Sequence, residues 1–183
     1  MRRIVPAVLL AVGVLSTAAC QPANSVTTSA DTASGSAAAG SSAAQAAKVG
    51  DAITLKGQTP GEKITVTAVK VVDNAQGADQ FTTPDPGKRF VSVQFQIVNS
   101  GTVAYDDSPS NGAKAIDSDG QQFDADFTAE TTAGPSLPAD TKIAPGGKAL
   151  GFITFQLPTG STLASVQFST DSGFGDTGQW TVS

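Results

Sequence analysis

The chain has 183 residues, 11 basic and 16 acidic side chains and no histidine, giving a net charge of −5, and it contains one cysteine and one methionine. The missing imidazole excludes Ser-His-Asp and Cys-His triads and histidine metal sites, and the only methionine is Met1, which leaves no Met-rich copper site. Without a basic patch, nucleic acid is not an expected partner.

The N-terminus begins with the basic Met1-Arg2-Arg3, continues through an uncharged apolar run over residues 4–15, and reaches the small residues Ser16-Thr17-Ala18-Ala19 before Cys20. Basic start, apolar centre and small-residue cleavage site form a secretory signal peptide over residues 1–19, with Ala19 at the cut. The apolar run is shorter than the roughly 20 residues that cross a bilayer. Arg2-Arg3, without the rest of a twin-arginine motif, is read as an ordinary basic region.

Thr17-Ala18-Ala19-Cys20 resembles the lipobox of bacterial lipoproteins, with Thr17 in place of the usual larger aliphatic residue. The resemblance implies that Cys20 receives a diacylglyceryl group and becomes the first residue of the mature chain. Two acyl chains hold a protein stably where one holds it marginally. The expected location is therefore the outer face of the cell membrane, lipid-anchored. Cleavage leaves nine basic against sixteen acidic residues, a net charge of −7. Lipidation of the only cysteine leaves neither a disulfide nor a thiol nucleophile.

Residues 20–47 form the next unit: the lipidated Cys20, then Ala, Ser, Thr and Gly with one charge, Asp31, and no aromatic side chain. This composition cannot bury enough apolar surface to offset chain entropy, so a disordered linker is expected. Residues 21–47 would span roughly 30 Å on average and about 90 Å fully extended. Gly35, Gly40 and the Ser/Thr run count against an alanine-rich helix.

Residues 48–183 have the length of one domain, and their periodicity is that of strands. Val91, Val93, Phe95 and Ile97 alternate with Ser92, Gln94 and Gln96. Ile153, Phe155 and Leu157 alternate with Thr154 and Gln156, Val166 and Phe168 bracket Gln167, and Trp180 and Val182 bracket Thr181. Between Ile64 and Val72 the apolar phase shifts near Ala68-Val69, which predicts a β-bulge. Ile53-Leu55 and Ala113-Ile116 supply shorter strands, and Asp119-Gly120 predicts a hairpin between Ile116 and Phe123. The expected fold is all-β, an antiparallel immunoglobulin-like sandwich of about seven or eight strands.

Gly87-Lys88-Arg89-Phe90-Val91-Ser92-Val93 running to Asn99-Ser100-Gly101, Asp117-Ser118-Asp119-Gly120 with Phe123, and Ile143-Ala144-Pro145-Gly146-Gly147 with Gly151, Phe155 and Pro158 resemble one bacterial family. It comprises extracytoplasmic immunoglobulin-like domains of unknown function, common on lipoproteins, and more distantly resembles the mycobacterial secreted immunoprotective antigen. The resemblance covers residues 48–183 and implies a fold, with no catalytic residue to carry over.

Asp117, Asp119, Asp124 and Asp126 lie close in sequence, with Asp106-Asp107 upstream. Asp117, Asp119 and Asp124 are weak calcium candidates, because Asp117-Ser118-Asp119-Gly120 partly resembles a calcium loop. The twelfth-position acid and the flanking helices are missing, and a hairpin turn accounts for Asp and Gly better. No metal and no cofactor is therefore assigned. Residues 73–87 and 124–143 are long connections, the kind that carry function. Phe81, Phe127 and Leu137 lie in them, and Phe174 lies in a later turn. These aromatics either contact a partner or fold back to plug the open ends of the sandwich, and plugging is the favoured expectation.

The expected role is a binding or interaction module whose partner is an envelope protein, a glycan or a small ligand, without enzyme activity. The alternatives are a carboxylate-based extracytoplasmic enzyme and a passive envelope or transport-accessory component.

Overall fold

The computed structural model describes residues 26–27 and 47–182. Residues 1–25, which include Ala19 and Cys20, and residues 28–46 of the segment read as a linker lie outside the described residues.

In chain order the strands are β1 (Val26–Thr27), β2 (Ala47–Lys48), β3 (Ala52–Lys56), β4 (Lys63–Ala75), β5 (Lys88–Asn99), β6 (Tyr105–Asp107), β7 (Ala113–Asp117), β8 (Gln122–Asp124), β9 (Thr141–Ile143), β10 (Lys148–Pro158), β11 (Leu163–Ser169) and β12 (Thr177–Thr181). One helical turn, Pro109–Gly112, and one 3₁₀ turn, Asp171–Gly173, complete the elements. The first sheet has the order β1-β3-β4-β5-β10, the second β2-β12-β11-β7-β8, and β6 pairs with β9. Pairing is antiparallel except between β2 and β12. The fold is an all-β sandwich, with seven strands of five residues or more.

The alternating patterns produce this layering because successive side chains on a strand face opposite ways. Val91, Val93, Phe95 and Ile97 of β5 are buried, as are Ile153, Phe155 and Leu157 of β10 and Val166 and Phe168 of β11. At the centre, Phe95 of the first sheet meets Phe168 of the second at 5.5 Å between ring centroids. The bulge expected in β4 is present: its register against β5 shifts between Ala68 and Lys70. A second shift falls between Asp73 and Ala75, where Asn74 adopts φ 54°. Asn tolerates this left-handed conformation better than most residues.

Two ends of the sandwich matter below. Asn99 of β5 and Lys148 of β10 lie at one end, beside the 57–62 turn and the 170–176 turn, where Thr170 Oγ1 donates to Lys56 O at 2.9 Å. Lys88 and Pro158 lie at the other, with the 76–87 loop and the β7–β8 hairpin. Within the segment read as a linker, Val26–Thr27 lie antiparallel against Ile53 and Ala52. Ala47, also assigned to that segment, is buried and pairs with Trp180.

Candidate functional site

The 125–140 segment leaves β8, runs along the free edge of β10 and folds over the outer face of the first sheet. Ala125 bridges to Phe155, Asp126 N donates to Thr154 O at 2.7 Å, and Leu137 N and Phe152 O are joined at 2.9 Å. Farther over the face, Thr131 bridges to Gly77 of the 76–87 loop. Beneath it sits a buried hydroxyl trio: Ser92 Oγ lies 3.0 Å from Thr131 Oγ1 and 2.9 Å from Thr154 Oγ1. Ser92 and Thr154 are direct cross-strand partners, so β5 and β10 present a two-hydroxyl platform on which the loop is fastened. Ala75, Phe90 and Ala129 form a small apolar cluster beside it.

This docked segment raises a ridge at Asp126-Phe127 between two concavities. On one side is a cleft of about 410 Å³, lined by Glu130, Ser136, Leu137 and Phe152 as well as the ridge. On the other is a more open hollow of about 490 Å³, lined by Lys88, Phe123, Asp124 and Gln156 with the same two ridge residues. Phe127 is 61% exposed. Asp126 below it is fixed, since it accepts from Gln156 Nε2 at 2.6 Å, Thr128 N at 2.9 Å and Thr128 Oγ1 at 2.8 Å. Partial burial pushes the Asp126 carboxyl up, but these hydrogen bonds outweigh it and hold the group below the usual carboxylate range. Glu130 Oε2 accepts from Ser136 Oγ at 2.8 Å. The site therefore offers an apolar ring flanked by oriented carboxylates.

The plugging expected of the aromatics is corrected for three residues. Phe81 and Phe174 are each 82% exposed, and Phe127 also projects outward. Of the four loop side chains only Leu137 is buried, joining the core at the β10 edge. The three Phe do not converge either. Phe81 belongs to the 76–87 end, Phe174 to the 57–62 end, and Phe127 to the flank between them.

The calcium candidates are held apart by separate structural duties. Asp117 is 3% exposed, and its Oδ1 accepts from Asp119 N at 3.1 Å and Gln121 N at 2.8 Å, closing the hairpin turn. Gly120 completes that turn at φ 81°. Asp124 pairs with Lys114, and Asp119 is exposed. Among the described residues no group of three or more Asp, Glu, Cys or His is arranged to hold a metal ion.

A second acidic region lies at the 57–62 end around Tyr105, which is fully buried beside Asp107. Burial first, then the charges of Asp107, Glu62 and Asp171, push the phenol far above its ordinary range. Glu62 is raised in turn, by burial and by Asp171. Sequence reading missed this grouping and the hydroxyl trio, because both join residues far apart in the chain. The only local signals were Tyr105 beside Asp106-Asp107, and Ser92 interrupting an apolar strand.

The comparisons with known proteins fit this architecture. A family model described as a domain of unknown function, DUF4352, matches residues 48–179. The chain belongs to the DUF4352 family. Its fold is similar to that of MPT63, a secreted protein of Mycobacterium tuberculosis, at 16% identity and a TM-score of 0.55, covering 77% of this chain and 99% of that one. A candidate lipoprotein of Bacillus subtilis, ycdA, aligns at 12% identity and a TM-score of 0.48, covering 66% of this chain and 38% of that protein. A β-sandwich protein of Clostridium difficile aligns at 13% identity and a TM-score of 0.41, covering 75% of this chain and 94% of that one. No curated protein matches the chain significantly. This DUF4352 domain therefore shares its fold with MPT63 at low sequence identity.

Proposed function

We propose that the protein is a lipid-anchored extracytoplasmic binding module that engages an envelope protein through the Asp126-Phe127 ridge. Export and anchoring rest on the signal peptide and on Cys20, and the names of the secreted and candidate-lipoprotein neighbours agree with them. The observation that carries the binding reading is Phe127, held 61% exposed between two concavities by a segment fastened from beneath. An exposed aromatic on a rigid base suits partner binding, since aromatic anchors filling pockets dominate interface energies. The oriented Asp126 and Glu130 favour a partner presenting amino, guanidinium or amide donors. Hydrogen bonding holds Asp126 lowered, so this carboxyl is not suited to act as a general acid at the ridge.

The test is co-purification from detergent-solubilised membranes using the wild type, Phe127→Ala, and Phe81→Ala as a control. The reading expects a partner enriched by the wild type and by Phe81→Ala and lost with Phe127→Ala. No enriched partner, or equal enrichment by all three, would overturn it and leave the passive envelope role. Mass spectrometry of the native product tests the anchor separately, with two acyl chains expected on Cys20.

A further inference from the structure

The register of β1 fixes where a lipid on Cys20 can lie relative to the sandwich. Val26 stands opposite Ile53, which stands opposite Val66, which stands opposite Ile97. From that row only two residues of β5 remain to Asn99 at the 57–62 end, while nine remain to Lys88 at the other end, about 30 Å of strand. Cys20 is six residues before Val26, so by any path its Cα lies within about 20 Å. That reach falls short of the 76–87 end and extends past the 57–62 end. Because β1 is antiparallel to β3, the chain also enters Val26 from the Lys56 side.

The 57–62 end carries a feature suited to a lipid surface. Phe174 projects from the 170–176 turn with 82% of its surface exposed. The turn is braced by three hydrogen bonds, two to Gln58 and one to Asp107: Phe174 O accepts from Gln58 Nε2 at 3.1 Å, Asp171 Oδ2 from Gln58 N at 2.8 Å, and Asp107 Oδ2 from Ser172 N at 2.8 Å. Asp171 and Ser172 both sit at φ 52°, a strained conformation held by this bracing. Asp107, Asp171 and Asp176 accept from backbone amides here and keep their negative charge, which offsets that of Lys56, Lys63 and Lys148. The attraction of this end to a bilayer therefore rests on its exposed apolar ring, which settles at the headgroup level.

We infer that the 57–62 end, with Phe174 as its apolar tip, rests on the membrane that holds the lipid, and that the 76–87 end points away from it. This orientation rests on the anchoring reading above. It leaves the Phe127 ridge on the flank, open to partners.

The experiment uses the mature chain from Cys20, its single thiol coupled to a maleimide-bearing lipid and inserted in phosphatidylcholine/phosphatidylglycerol vesicles. Trp180 is fully buried, so an added surface tryptophan reports its own surroundings above the wild-type background. Phe174→Trp fluorescence should be quenched by brominated lipid about twofold or more beyond Phe81→Trp, as expected for a ring at headgroup depth. Thr27→Pro, which removes the backbone donor of β1 opposite Ala52, should level the two signals. Equal quenching at both positions, stronger quenching at position 81, or a difference that survives Thr27→Pro would overturn the inference. Because the lipid is attached chemically, absence of acyl chains on the native protein would sink the anchoring reading without being mistaken for a wrong orientation.

Discussion

Phe95 and Trp180 meet edge to face across the two sheets, with ring centroids 6.1 Å apart and planes at 68°. The indole also donates from Nε1 to Asp51 O at 2.8 Å, so one side chain ties the second sheet to the start of β3 in the first. Edge-on geometry suits the aromatic quadrupole, and the hydrogen bond satisfies the only polar atom of the indole. Phe95→Ala should therefore cost about 3–5 kcal/mol, whereas Trp180→Phe, which keeps most of the ring but orphans the carbonyl, should cost about 1–3 kcal/mol. Urea unfolding followed by circular dichroism tests the ranking, since Trp180→Phe removes the fluorescence probe.

The hydroxyl trio predicts a local rather than a global defect. Ser92→Ala removes the central hydroxyl, leaving Thr131 and Thr154 without their shared partner in a buried layer. The expected loss is about 1–3 kcal/mol. More specifically, amide exchange should accelerate across residues 126–132, which rest on the trio, while β11 and β12 keep their protection. Uniform acceleration throughout the sandwich would show that the loop is no separate unit.

How far the sequence carried depended on how local each signal was. β5 was readable because Val91, Val93, Phe95 and Ile97 repeat at the strand period. The β4 bulge was readable because a bulge leaves a phase change, here at Ala68-Val69. The 125–140 segment leaves no comparable trace. Its fastening joins Thr131 to Ser92 and Leu137 to Phe152, contacts set by the path of the loop and by no period. The exposure of Phe81, Phe127 and Phe174 has the same origin: composition names an aromatic in a loop, and only tertiary structure decides which way the ring faces. β6 and β9, three residues each, were too short to show alternation.

Asp117 separates a turn from a metal loop. Its buried carboxylate holds two backbone amides of the β7–β8 hairpin, so Asp117→Ala should cost about 1–3 kcal/mol by leaving those amides unpaired. Adding calcium or a chelator should leave the melting midpoint of the wild type unchanged. A midpoint that rises with calcium and loses that response in Asp117→Ala would instead restore the calcium reading.

Two carboxyls should give acid dependences of opposite sign. The Asp126 carboxyl is lowered in the folded protein from its ordinary 3.8, so the folded state binds that proton more weakly than the unfolded chain does. Its contribution is full above 3.8 and is lost as pH falls through the folded value. Glu62 is raised from 4.5 by burial and by Asp171, so its charged form is disfavoured on folding. Its contribution is full below 4.5 and is lost as pH rises through the folded value. Asp126→Asn should therefore flatten the loss of stability on the acid side, and Glu62→Gln should be more stable than the wild type near neutral pH. Denaturation midpoints across roughly pH 2 to 7 resolve the two, because the effects occupy different sides of the ordinary carboxylate range. If Glu62→Gln were destabilising at neutral pH, the hydrogen bonds that its carboxylate accepts from Thr59 would outweigh burial and Asp171, and the burial argument for its raised pKa would fail.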